Sequence, residues 1–540
     1  MTKSSFMQST VFIYPDVREK RTGVKCTASK ATFLPEDLVG AFDGDDRPRI
    51  LIMAETPSHA PKLLNLAKEI LADGRLLPVL AVVSHIPRSR KLILGRFRAA
   101  LAGAPWSISP PWNSAPDVDL GGAAGAGTAY DGRNGRVGGP VKKLVASALG
   151  PAADFVREAL KFRRMVLNNF RFHRQERRDA ELILDWIAPN AVIYIDISSF
   201  CSSVIATAAR KRGFRNFAIQ MKNWPEKGIM YKRKKRDLFA IDAPQFRFWK
   251  KSIALFLPNQ VWRDHEKAVL FYNSWETVGR WLARALPRDP WAFHGGLSDM
   301  VAMWDDNVKK DLLSRGTMGR NYVTVGDPVI TELFDHNNAA DRTRTDLYRK
   351  YRLDKSKKLI LCSTPVLAEH DILSESESMV EVDWFFSELS RSDANVLVSV
   401  HPRGDVEQRR TQAAKWGLAT LDEPLVSAMP ACDVYVSVAS STHRWSMMLG
   451  KPAIQLCTWG VINAYEGIQS PTLRTVREKD DLRPMLSEML KMEGFDADVS
   501  TAPIQYFEGA EVMDGKSTER ILTALWTLVN EENSWAGARK

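Results

Sequence analysis

The stretch ACDVYVSVASSTHRWSMMLGKPAIQL, Ala431 to Leu456, decides how the chain is read. Val434, Val436 and Val438 form an alternating apolar run that reads as a buried strand. Ala439-Ser440-Ser441-Thr442 follows as a turn of small polar residues. A short apolar-faced helix is predicted next, ending at Gly450, the residue type a helix C-terminus favours, and Pro452 to Leu456 reads as the following strand. A strand, a hydroxyl-bearing turn and a helix N-terminus gather backbone N–H groups and hydroxyls at one point, which suits a phosphate.

Composition bounds what can surround that turn. At 540 residues the chain exceeds what a single core fills, so two or more domains are expected. A hydrophobic fraction of 45% and a charged fraction of 26% are those of a soluble globular protein. The five cysteines (Cys26, Cys201, Cys362, Cys432, Cys457) are scattered without a Cys-x-x-Cys pair and read as packed thiols, not as a zinc site or disulfide framework. No apolar run is long enough to span a bilayer, and the N-terminus lacks a signal-peptide layout, so a cytoplasmic location is expected. A formal net charge of +11 points to acidic partners: nucleic acid, phosphates or an anionic membrane surface.

Taken in order, residues 1–46 form an extension with one strand-like piece at Val11–Tyr14. A first Rossmann-like domain is expected over 47–335. It opens with the strand Arg49–Ala54, the loop Glu55–His59, an apolar-faced helix and the strand Pro78–Val83, a βαβ unit that implies a parallel sheet. Residues 105–140, rich in Pro and Gly, read as a flexible loop, and the helical region after them is basic. Ala191–Asp196 begins a second strand–turn–helix. The region 210–262 combines basic and aromatic residues, among them Lys232, Arg233, Lys234, Lys235, Arg236 and Trp249. A polar linker is expected over 336–356, a second α/β domain over 357–515, and a closing amphipathic helix within 516–540.

Four pieces of this order together resemble a two-domain GT-B glycosyltransferase of bacterial surface-polysaccharide biosynthesis. They are Met300–Val329 with Gly326-Asp327-Pro328, the His401-Pro402-Arg403 turn after a strand, Ser440-Ser441-Thr442, and Gly450-Lys451-Pro452 entering the next strand. The His-Pro turn is similar to that of capsule and sialic-acid-type transferases, and the general plan is shared with UDP-sugar 2-epimerases. The resemblance implies an α/β fold of two Rossmann-like domains facing a central cleft. The implied activity is metal-independent transfer of a sugar from a nucleotide-sugar donor to a surface-glycan or lipid-linked acceptor, with the nucleotide sugar as co-substrate and no resident cofactor. The chain departs from the pattern at His443-Arg444-Trp445-Ser446, where many members carry a glutamate that holds the donor ribose.

The resemblance places donor binding on His401, Arg403, Ser440, Ser441, Thr442 and Gly326. Hydroxyls, backbone N–H groups, imidazole and guanidinium can neutralise a leaving phosphate without a metal. For the serines and threonine the bland alternative is an ordinary N-cap, and for His401 a turn histidine before proline. His59 is the expected acceptor base, an imidazole that takes a hydroxyl proton near neutral pH; Glu55 and Asp196 are its rivals. The basic–aromatic region reads either as a solvated face or as a dock for an anionic membrane, which would put the protein on the inner face of the cytoplasmic membrane. Nucleic-acid binding fits the charge but has no recognisable module. The alternative functions are a nucleotide-sugar 2-epimerase and a non-catalytic basic protein, membrane- or nucleic-acid-binding, on a degenerate version of the fold.

Overall fold

The computed structural model describes residues 11–15, 45–54, 60–82, 97, 106–108, 140–197, 200–221, 229–230, 233–234, 236–263, 267–314, 321–369, 372–401, 404–438, 440–459, 472–492 and 515–530, some of them by backbone alone. The chain builds two sheets, one parallel throughout and one parallel except for an antiparallel edge, each covered by helices on both faces.

The first domain runs β1 (Val11–Pro15), β2 (Arg49–Ala54), α1 (Ala60–Asp73), β3 (Leu77–Val82), β4 (Trp106–Ile108), α2 (Pro140–Ile187), β5 (Ala191–Tyr194), α3 (Phe200–Arg212) and β6 (Arg215–Ile219). A largely helical insertion follows: α4 (Arg247–Phe256), the hairpin β7 (Val261–Arg263) and β8 (Ala268–Leu270), then α5 (Ser274–Leu282). β9 (Met300–Met303), α6 (Asp306–Ser314) and β10 (Asn321–Thr324) complete the domain. The strand order is β10-β9-β6-β5-β2-β3-β1-β4, with β2 paired in parallel to both β3 and β5. The strands are near-continuous apolar runs because both faces are buried. Leu51, Met53, Val192 and Tyr194 point into one core with Ile183 and Ile187 of α2. Ile50, Ile52 and Ile193 point into the other with Leu63 and Ile70 of α1.

Two expectations for this half change. The strand-like piece of the N-terminal extension is a working strand, antiparallel to β3. The Pro/Gly-rich segment contributes β4 at its start, paired with β1 through Ile13 and Ile108. Trp106-Ser-Ile108 has the aromatic and β-branched ends a strand edge accepts, and the glycines come only afterwards. Residues 105 and 109–139 lie outside the described residues.

The second domain comprises α7 (Pro328–Asn337), α8 (Ala340–Lys350), β11 (Leu359–Ser363), α9 (Glu375–Ser390), β12 (Asn395–Ser399), α10 (Val406–Lys415), β13 (Ala419–Thr420), α11 (Leu425–Ala428), β14 (Val434–Val438), α12 (His443–Met448), β15 (Ala453–Leu456), β16 (Leu473–Val476) and α13 (Leu482–Lys491). Its sheet is parallel throughout, in the order β13-β12-β11-β14-β15-β16. The chain starts in the middle, winds one way through β12 and β13, then reverses through β14, β15 and β16. That is the strand order of a dinucleotide-binding domain, with its switch point between β11 and β14. The two domains are thus Rossmann-like.

The stretch read as a polar linker is the solvated side of α8, whose Leu347 and Tyr348 are buried in the second core beside Ile330 and Leu333 of α7. Val325 belongs to the first core, so the chain crosses at Gly326–Asp327 and not after residue 335. It crosses back before α14 (Ser517–Asn530), whose Ile521, Leu525 and Leu528 fill the first core. The two crossings touch. Gly326 has φ +83°, and a Cβ there would stand 3.4 Å from Ser517. Cys362, Cys432 and Cys457 are buried thiols, as expected.

Candidate active site

The carboxyl ends of parallel strands are where open α/β sheets bind ligands, most often at the switch point. In the second domain three neighbouring strands, β12, β11 and β14, end in polar residues there. β11 delivers Ser363 and Thr364, β12 leads to His401, and β14 leads to Ser440, Ser441 and Thr442. The structure therefore brings together His401 and the Ser/Thr turn, which lie far apart in sequence.

These groups form a connected hydroxyl chain. Ser363 Oγ bonds the Tyr435 hydroxyl at 2.7 Å, Tyr435 bonds Thr442 Oγ1 at 2.5 Å, and Thr442 bonds Ser440 Oγ at 2.8 Å. Beside it, the His401 N–H donates to Thr364 Oγ1 at 2.9 Å, fixing the loop after β12 to the end of β11. Thr442 has helical backbone angles and makes no side-chain cap to α12, so the ordinary N-cap reading fails for it. Ser440 Oγ both bonds the Thr442 hydroxyl and accepts from the Thr442 backbone N–H at 3.3 Å. Burial pushes the Tyr435 phenol above its usual range, opposed by the hydrogen bonds with Ser363 and Thr442, so it stays a neutral link.

α12 is stopped as the sequence implies. Gly450 sits at φ +62°, with Gly450 N–H bonding Met447 O at 3.0 Å and Lys451 N–H bonding Ser446 O at 2.8 Å. That paired arrangement closes a helix on a left-handed glycine. His443, at the start of α12, is fully buried with its ring edge-on to Tyr435 at 5.3 Å. Burial lowers its pKa to about 3, so the imidazole is neutral.

Arg444, in the stretch where the resemblance implies a ribose-binding carboxylate, turns toward the other domain. Its Nη1 donates to Asp305 Oδ2 at 2.8 Å, and its guanidinium lies 4.8 Å from the centre of the Trp304 ring. Trp304 and Asp305 immediately follow β9, at the carboxyl edge of the first sheet. The two carboxyl edges thus face each other across this contact. Nearby, Asp327 caps α7 by accepting from Val329 N–H at 3.0 Å. Burial raises its carboxyl pKa, opposed by the charges of Lys62 on α1 and Arg444. Burial likewise lowers the Lys62 ammonium, against Asp327 and Glu332. Asn65 of α1 donates to Glu332 of α7 at 3.3 Å. Gly326 serves the crossing described above.

In the first domain the switch point falls between β2 and β5. Asp196, two residues past β5, is buried there. His59 and Glu55, in the loop after β2, lie outside the described residues, as does Arg403.

In the basic–aromatic region three of the residues read as surface groups are half-buried. Trp249 stacks on Phe162 of α2, with ring centres 4.4 Å apart and planes 7° from parallel. Arg233 packs against the rings of Phe239 and Phe271 at 4.1 and 5.0 Å. Burial lowers its pKa to about 10. Lys234 is half-buried and Arg236 exposed, while Lys232 and Lys235 lie outside the described residues. A tryptophan and an arginine read as surface groups are thus partly spent on packing the insertion.

Sequence reasoning missed Ser363, Thr364, Tyr435 and Thr458. β14 and β15 pair Val438 with Leu456, so Thr458 stands level with Ser440 at the same edge, with its Oγ1 buried and making no hydrogen bond among the described residues. A hydroxyl two residues past a predicted strand was the available signal.

Two facing Rossmann-like domains, with polar switch points at both carboxyl edges and a C-terminal helix returning to the first domain, define a GT-B-like class of protein. No family model matches the chain, and no curated protein does. Among solved structures it is similar to the UDP-GlcNAc 2-epimerase of Neisseria meningitidis bound to UDP-GlcNAc (11% identity over 89% of this chain and 100% of that one, TM-score 0.47). It is also similar to the spinosyn forosaminyltransferase SpnP (14% identity, 90% and 100% covered, TM-score 0.43). A third similar structure is MurG of Acinetobacter baumannii (11% identity, 89% and 99% covered, TM-score 0.40).

Proposed function

We propose that the protein is a metal-independent glycosyltransferase. It would move a sugar from a nucleotide-sugar donor to a surface-glycan or lipid-linked acceptor. The observation that carries this reading is the hydroxyl chain Ser363–Tyr435–Thr442–Ser440 beside His401, at the switch point of the second domain and opposite the first. Hydroxyls arranged this way donate to phosphate oxygens as charge develops on the leaving nucleotide. The acceptor oxygen attacks the anomeric carbon, the bond from that carbon to the phosphate oxygen breaks, and the acceptor proton passes to a base of the first domain. His59 is assigned that role, with Glu55 and Asp196 as rivals, because the loop after β2 and the end of β5 flank the first switch point.

A nucleotide-sugar 2-epimerase would use the same donor edge and need no acceptor. The purified protein is to be incubated with UDP-, CMP- and GDP-sugars while its thermal stability is followed. Stabilisation by one nucleotide class supports a nucleotide-sugar enzyme, and no shift with any of them overturns both readings. Formation of the C2 epimer without acceptor would select the epimerase.

A further inference from the structure

We propose that the helical insertion of the first domain docks on an anionic lipid surface through an apolar ridge along α4 and α5, bordered by cations. The inference is independent of the glycosyltransferase reading. Soluble proteins rarely leave contiguous large apolar groups in water, and when they do the patch usually binds something. α4 carries Phe248, Leu255 and Phe256 at 56%, 73% and 77% exposure, and α5 adds Trp281 at 55%. Phe248 and Leu255 are seven residues apart, two helical turns, so they lie on one face about 10 Å from each other. Phe256 and Trp281 line one groove with Leu257, Pro258 and Leu286, which joins the end of α4 to α5. At the other end the Phe248 ring meets Phe155 of α2 edge-on at 6.0 Å, so the ridge continues onto the long helix.

The charge around the ridge selects the occupant. On α4 itself Arg247 and Lys251 stand exposed beside Phe248 and share one long ion pair with the exposed Asp242, at 4.0 and 3.8 Å, so the pair of cations outweighs the carboxylate. On α2 a separate exposed stripe, turned roughly 100–180° round the helix from Phe155 and Phe162, reads Val156, Leu160, Arg164, Leu167, Arg171 and Arg174. Aromatic and aliphatic tips surrounded by Arg and Lys match a headgroup region, where rings enter the interface and cations meet anionic phosphates. No helix among the described residues is long and apolar enough to cross a membrane, so the contact is lateral. It also differs from the face expected from the basic run, since Trp249 is half-buried against Phe162 of α2, Arg233 is half-buried against Phe239, and α4 turns Phe248 and Leu255 outward.

The test is co-sedimentation of the full chain with vesicles of phosphatidylcholine alone and of phosphatidylcholine mixed with phosphatidylglycerol. Wild type should bind the anionic vesicles and release with salt. The double variant Leu255→Glu, Phe256→Glu should bind them at least roughly ten-fold more weakly, since it removes the tips and repels the headgroups. Val380→Glu, an equally exposed apolar position on α9 of the second domain, should bind like wild type. All these positions are exposed, so unchanged melting temperatures would show that the variants fold. The proposal is overturned if wild type ignores anionic vesicles, if the double variant binds as wild type does, or if the protein retains a nucleic-acid oligomer and not vesicles.

Discussion

Arg444 of α12 and Asp305 after β9 form a buried ion pair at 2.8 Å that joins the carboxyl edges of the two domains. An exposed pair would contribute almost nothing, but a buried pair that loses one partner leaves an uncompensated charge. Asp305→Ala should therefore lower stability by about 3–5 kcal/mol in denaturant unfolding. The double replacement Arg444→Met, Asp305→Leu should recover most of that loss, because neither charge is then buried alone. A double variant as unstable as the single one would show that the pair does not couple the domains.

Two buried histidines set an acid limit. His294 lies under the first sheet and His443 beside Tyr435; burial lowers both from the usual 6.5 to about 3. Between those values the unfolded chain binds protons that the folded chain refuses, so stability rises with pH and is lost as pH falls below about 6.5. Each histidine contributes a slope of up to about 1.4 kcal/mol per pH unit in that window. Urea midpoints followed from pH 7 to pH 4 test this for wild type and His443→Phe. The variant should show the shallower acid loss; equal slopes would mean that His443 is protonated in the fold.

Gly326→Ala tests the crossing between domains. A non-glycine residue at φ +83° costs on the order of 1–2 kcal/mol, and the new methyl would press on Ser517. The melting temperature should fall by several degrees. Gly417→Ala is a comparison site, since it has φ +71° but open space around it. It should cost less than Gly326→Ala; equal losses would mean that backbone strain alone decides both.

Much of this architecture is local and was therefore legible. The valines of β14 and Gly450 each act on their near neighbours, and the structure keeps both in the expected roles, with the hydroxyl turn between them. What escaped depends on partners distant in the chain. Ser363 and Thr364 become site residues only once β11 is known to lie between β12 and β14. Arg444 has its partner 139 residues away, so its sequence position could only register as a missing carboxylate. Trp249 looked like a membrane anchor because composition shows an aromatic among cations, and only the placement of Phe162 turns it inward. Polar residues of α8 mimicked a linker because a helix seated on a core shows one polar side as well.

The hydroxyl chain makes the sharpest claim about the site. If Thr442 donates to a donor phosphate, removing its hydroxyl while keeping its shape should weaken binding more than it weakens folding. A hydrogen bond to a charged group contributes about 1.5–3 kcal/mol, which corresponds to a rise in Kd of roughly ten- to one-hundred-fold. Thr442→Val should show that rise for the nucleotide sugar that stabilises wild type, measured by calorimetry. Tyr435→Phe should show a smaller one, because Tyr435 links Ser363 to Thr442 within the chain. It also leaves the Ser363 hydroxyl without this partner, while Thr442 keeps Ser440, so it should lower stability by about 1–3 kcal/mol. If Thr442→Val binds the donor like wild type while Tyr435→Phe only destabilises, the chain is a structural brace and the phosphate must be held elsewhere on that edge.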